Sequence, residues 1–120
     1  MKEIVERYFN SWINKDLETV KKTFAPDAVY SECYGPEYHG LDQIIRWFND
    51  WNEKDSVLEW TIKRVIEKDK TIVVEWYFKC DCNNKISGFD GVTIADFDEN
   101  DKIVSLKEFK SKAEHIYPYD

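Results

Sequence analysis

Long apolar runs are missing from this sequence, and so is any excess of basic charge. Hydrophobic residues make up 42% of its 120 positions but come in short periodic groups, which argues against a membrane-spanning helix. With 24 Asp and Glu against 17 Lys and Arg, the formal charge is −7. Such a surface repels a phosphate backbone, so neither nucleic acid nor a membrane is expected as a partner. Glycine and proline are scarce, at four and three residues, and no linker, repeat or low-complexity segment interrupts the chain. Histidine occurs twice and cysteine three times. No CxxC or HxxxH spacing is present to hold zinc. An odd cysteine count suits a reducing compartment, and no disulfide is expected, although Cys80 and Cys82 share one face of a strand. The opening MKEIVERYF has early acids and no uninterrupted apolar core, so it predicts a helix and not a secretory leader. We therefore expect a cytoplasmic protein of one domain, residues 1–120.

Aromatic residues are plentiful, at 16%, and their spacing predicts the fold. Ile4, Val5, Tyr8, Phe9, Trp12 and Ile13 form one stripe of a helix over about 2–14. Asp16 is a candidate N-cap for a second, shorter helix carrying Leu17, Val20 and Phe24 and ending before Pro26. A strand over 28–34 follows, then Gly40 and a third helical stripe of Leu41, Ile44, Ile45, Phe48 and Trp51. From Val57 onward the chain is strand-like, rich in Val, Ile, Trp, Tyr and Phe. Polar turns at Lys68-Asp69-Lys70, Asn83-Asn84 and Asp98–Asp101 cut it into four long strands, and Asn at the second turn tolerates positive φ. The better apolar parity carries Leu58, Trp60, Ile62, Val74, Trp76 and Phe78 toward the core. The class predicted is α+β: a curved antiparallel sheet wrapped around three N-terminal helices, a cone with a pocket at one end.

Several segments in this order resemble the nuclear transport factor 2-like superfamily, in particular its SnoaL-like and ketosteroid-isomerase-like branches. They are ERYFNSWINKD on the first helix, FAPDAVY leading into the first strand, YHGLDQIIRWF running into the third helix, VVEW on a central strand and GVTIADFDENDKIVSLKEF at the last hairpin. The resemblance spans nearly the whole chain and implies the fold more than an activity, since the superfamily holds isomerases, dehydratases, cyclases, hydrolases and binding domains. By comparison with ketosteroid isomerase, Tyr8 falls at the oxyanion-hole tyrosine and Glu32 at the carboxylate that abstracts a proton. The second oxyanion donor, a protonated acid there, is Thr93 here, which offers at most a hydroxyl. The Asp-Arg-Asp set of the epoxide-hydrolase branch and the His-Asp pair of the dehydratase branch are absent.

The candidate chemistry centres on Glu32, which shares a strand parity with Tyr30 and Tyr34. Facing an apolar cavity, its carboxylate would be a desolvated base, with Tyr8 donating to a developing enolate. Facing water, it would be an ordinary surface glutamate. Trp12, one turn from Tyr8, is a candidate ligand-binding residue or a core filler. On the last strand, periodicity leaves open whether Leu106, Glu108 and Lys110 or Lys107 and Phe109 face inward, and the resemblance favours Glu108. His115, in AEHIYPYD, is a candidate lid or proton shuttle, or part of a tail packed on a partner. The expected ligand is a small apolar or aromatic molecule, handled without metal or organic cofactor. Isomerase, lyase or cyclase chemistry stands beside a non-catalytic binding domain and a dimerisation module. A homodimer through the outer sheet face suits all three, with Val73 and Tyr77 on that face.

Overall fold

The structure, a computed structural model, describes residues 1–119. Three helices come first: α1 (Lys2–Asn14), α2 (Leu17–Thr23) and, after two strands, α3 (Leu41–Lys54). The strands are β1 (Phe24–Ser31), β2 (Glu37–His39), β3 (Ser56–Lys68), β4 (Thr71–Cys82), β5 (Lys85–Phe97) and β6 (Ile103–Ser111). They form one six-stranded sheet in the order β2-β1-β6-β5-β4-β3.

The helices follow their apolar stripes. In α1, Val5, Tyr8, Phe9 and Trp12 are buried, and each large ring removed from water contributes on the order of 2–3 kcal/mol. Lys15 ends the helix in the left-handed region at φ 54. Its ammonium then donates to the Asn52 carbonyl near the end of α3 at 2.8 Å, favourable at a helix C-terminus. Asp16 caps α2, accepting from the Thr19 backbone N–H at 3.3 Å and from its hydroxyl at 2.6 Å. Phe24, expected on α2, instead begins β1. Pro26 disfavours helical geometry in the residue before it, so the chain is extended earlier than the stripe suggests.

The four long strands make the expected meander. Asp69, Asn83 and Asn84 have φ of 55, 54 and 62, as two-residue hairpin loops require. The sheet as a whole is mixed, which corrects the all-antiparallel expectation. β1 runs parallel to β6, with Tyr30 paired to Leu106 and Ser31 to Lys107. The meander starts after α3 and reverses direction three times, so its last strand returns to the β1 edge pointing the way β1 does. β1 is not the edge either, because the short β2 pairs outside it.

Two further corrections concern the inner face. Leu58 is 45% exposed because the register shifts between Val57 and Glu59, and a second shift between Ile62 and Arg64 turns Val65 inward. Each β-bulge exchanges the faces, so Val57, Trp60, Ile62 and Val65 turn toward the core and Leu58 turns away. Cys80 and Cys82 are joined as a disulfide. Their shared parity on β4 brings both sulfurs to one face with Cα atoms 5.7 Å apart, within disulfide reach. The odd cysteine count therefore leaves one free thiol, Cys33.

Among the described residues no helix is long and apolar enough to cross a membrane. The helices pack on the concave face of the sheet around Tyr8, Phe9, Tyr30, Phe48 and Trp76. Trp76 lies opposite Gly91 on β5, and a Cβ at Gly91 would run into the Trp76 ring and the Phe109 carbonyl. The glycine is thus the space into which the indole folds. Beyond these rings the helices leave part of the concave face uncovered.

Candidate functional site

That uncovered part is a cavity of ≈ 70 Å³. Its wall is mostly aromatic. α1 and α3 supply Trp12, Trp47 and Trp51, and the sheet supplies Tyr30, Trp60, Trp76, Phe78 and Phe89. Trp12 packs on Trp47 and Trp51 with ring centroids 4.8 and 5.5 Å apart, and Trp60 stacks flat on Phe9 at 3.9 Å. The floor is buried, and the rim rises through Glu32, Cys33 and Tyr34, of which Tyr34 is 59% exposed. The disulfide also lies in the wall.

Two carboxylates, Glu32 and Glu108, share this apolar wall. The strand register brings them together: Ser31 pairs with Lys107, and the next step along both strands sets Glu32 beside Glu108 on the inner face. The ambiguity of the last strand is settled by burial, with Leu106 buried and Lys107 and Phe109 exposed. Leu106 and Glu108 therefore share the inward parity.

Each carboxylate is held by a tyrosine. The Tyr30 hydroxyl donates to Glu108 Oε2 at 2.6 Å and accepts from the Tyr8 hydroxyl at 2.9 Å. The Tyr38 hydroxyl donates to Glu32 Oε2 at 2.6 Å. Burial pushes Glu108 up to about 8, opposed by the Tyr30 hydrogen bond and reinforced by the charge of Glu32. Burial also raises Glu32, opposed by the Tyr38 bond. The phenols of Tyr8 and Tyr30 are raised well above their ordinary range, chiefly by burial and then by the Glu108 charge. They therefore act as fixed donors and not as titrating groups. The Cys33 thiol is pushed up to about 11, mainly by burial, which leaves it protonated at neutral pH.

Of the residues singled out in the sequence, Trp12, Tyr30, Glu32, Tyr34 and Glu108 line the cavity, and Tyr8, Thr93 and His115 do not. Tyr8 is fully buried one hydrogen bond behind Tyr30. Thr93, also fully buried, accepts from Trp76 Nε1 at 2.8 Å, so it orients a wall residue from below. His115 is exposed beyond the end of β6. Tyr38, Trp47 and Trp51 were not among the sequence candidates for the site. Tyr38 stacks on Trp47 at 4.6 Å and reaches Glu32 because the chain reverses through Gly35-Pro36 to pair β2 with β1. The Gly-Pro dipeptide was the available signal for that reversal.

Two donors in the wall have no partner. The indole N–H groups of Trp12 and Trp60 are buried without a hydrogen bond, although Trp12 lies close enough to the Tyr8 hydroxyl to lower its proton affinity. Among the described residues no group of three or more His, Cys, Asp or Glu could hold a metal ion. An apolar cavity with two inequivalent carboxylates can remove a proton from a carbon acid at one group and return one to an oxygen at the other.

A family model described as a SnoaL-like domain matches residues 5–106, a span that includes Glu32 and stops two residues before Glu108. No curated protein matches the chain in sequence. Among solved structures, a protein from Catenulispora acidiphila with a ketosteroid isomerase-like fold, in complex with trimethylamine, superposes with a TM-score of 0.80 at 17% identity, covering 92% of this chain and 86% of that one. A candidate SnoaL-like polyketide cyclase from Shewanella denitrificans gives 0.77 at 20% identity, covering 92% and 89%. An epoxide hydrolase of the LEH-like type from M. tuberculosis gives 0.81 at 16% identity, covering 91% and 80%. At these identities the likeness is one of fold.

Proposed function

We propose that this chain, which belongs to the SnoaL-like domain family, is a proton-transfer catalyst of the isomerase, lyase or cyclase type, acting on a small carbonyl compound without a cofactor. The observation that carries this reading is the pair of carboxylates in one apolar cavity. Glu108, pushed up to about 8, keeps its proton at neutral pH, while Glu32 is less deeply buried and its anion is favoured by Tyr38. Environments that separate two neighbouring acids in this way divide the roles of acid and base. Glu32 is the base that takes a proton from the carbon next to the carbonyl. Glu108 is the acid that donates to the oxygen as the enolate forms. Tyr30, with Tyr8 behind it, holds Glu108 in place, so Tyr8 acts through Tyr30. The aromatic walls bind the apolar part of the substrate and exclude water.

The test is deuterium uptake at the carbon beside the carbonyl of acetophenone in heavy water, followed by proton NMR. Wild type is expected to accelerate exchange, and Glu32→Gln to lose about a hundredfold or more of that acceleration. Exchange no faster than in buffer, or equal in both proteins, overturns the reading.

We also propose a homodimer through the outer face of the sheet, where Ile66, Val73 and Val92 line a shallow groove and Phe109 is 54% exposed. A monomer mass by light scattering at micromolar concentration would rule it out.

A further inference from the structure

The cavity is short of positive charge. Two carboxylates face it, and no Lys, Arg or His is among its lining residues. Burial and mutual repulsion of the two acids are not offset by a cation in the wall. An ammonium sits at the rim, where Lys110 Nζ lies 4.3 Å from the Tyr34 ring centroid and 5.5 Å from that of Phe89. The rim aromatics therefore already hold a cation against their faces, supplied by the chain itself.

We infer that the cavity takes an organic cation, an alkylated ammonium group seated against Trp47, Trp51 and the rim rings, with the carboxylates of Glu32 and Glu108 as its counter-charges. An ammonium over aromatic faces is held by the ring quadrupoles, more strongly where water is excluded. Methyl groups on nitrogen suit these apolar walls, whereas a metal ion would need a set of polar ligands that the described residues do not assemble. The inference uses the same two carboxylates as the proton-transfer reading but concerns what they bind, and it names the substrate class: a compound carrying such a cation.

Binding is coupled to protons. The titratable groups around Glu108 are Tyr8 from α1, Tyr30 from β1, Glu32, Cys33 and Tyr34 from the connection after it, and Tyr38 from β2, with Lys110 on its own strand. The phenols and the thiol stay protonated below about pH 9, so Glu108 is the group that changes charge between neutral and mildly alkaline pH. A cation favours the ionised form, so seating choline, which carries no carbonyl, releases the Glu108 proton to solvent, whereas on a carbonyl substrate the oxygen receives that proton as the enolate forms.

Choline and its uncharged isostere 3,3-dimethylbutan-1-ol test this by isothermal titration calorimetry of the full chain at about pH 7 and about pH 9. Choline is expected to bind at least about tenfold more tightly than the alcohol. Its affinity should rise about tenfold between the two pH values, as the ionised fraction of a group titrating near 8 approaches one, with proton release at the lower pH seen as a dependence on buffer enthalpy. Glu108→Gln should abolish that pH dependence, and Lys110→Met, which removes the competing ammonium, should tighten choline several-fold even if the first variant folds poorly. Equal affinity for choline and the alcohol, or no choline binding at millimolar concentration, overturns the inference without touching the deuterium-exchange result. Failed exchange with choline still bound overturns the proton-transfer reading alone.

Discussion

The Tyr30 hydroxyl donates to Glu108 at 2.6 Å across 78 positions of chain, and the Tyr8 hydroxyl donates in turn to Tyr30. This chain of donors begins on the first helix and ends on the last strand. It ties together the two ends of the fold at the wall of the cavity.

Replacing Tyr30 by Phe leaves Tyr8 without an acceptor and Glu108 without its donor. The expected loss is about 1–3 kcal/mol in denaturant unfolding. Because the Tyr30 bond favours the Glu108 anion, the acid should titrate higher in this variant by carboxyl carbon NMR. An unchanged titration would mean that the two groups are not bonded in solution.

Glu108→Gln should stabilise the protein only where wild type carries the buried charge. The folded value, about 8, lies above the ordinary 4.5, so the native state binds the proton more tightly than the unfolded chain. Stability from that proton is complete below about 4.5 and is lost as pH rises through 8. The variant and wild type should therefore melt together in acid. The variant should gain on the order of 1–3 kcal/mol by about pH 9. A constant difference at every pH would contradict the linkage.

Glu32 and Glu108 should titrate as neighbours. Since the Glu32 charge raises Glu108, Glu32→Gln should lower the Glu108 midpoint measured by NMR. The same substitution removes a half-buried charge and should cost no stability near neutral pH. A Glu108 midpoint indifferent to the change at residue 32 would place the two carboxylates apart.

Gly91→Ala drives a methyl group into the Trp76 ring and the Phe109 carbonyl. Both are packed, so the expected cost is about 2–3 kcal/mol, with a change in tryptophan fluorescence as the wall shifts. Wild-type stability for this variant would show that the indole has room to move.

Asn84 stands at φ 62 in the hairpin between β4 and β5. Asn84→Gly is expected to gain a few tenths of a kcal/mol and Asn84→Val to lose about 1–2 kcal/mol. Thermal unfolding of the pair checks the order, and the reverse order would mean that the turn has another conformation.

What the sequence determined by itself was local. The stripe of Val5, Tyr8, Phe9 and Trp12, the Asp16 cap and the turns at Asp69 and Asn83-Asn84 are all present, because each depends on residues within a few positions. The inward parity of β4 was legible for the same reason. Tertiary structure decided the rest. The bulge between Val57 and Glu59 turned Leu58 outward, the pairing of β2 with β1 delivered Tyr38 to Glu32, and the parallel register of β1 and β6 set Glu32 beside Glu108. Alternation along a strand says which residues share a face. Which strand lies alongside, and in what register, is fixed only when all six strands and three helices bury their apolar faces together.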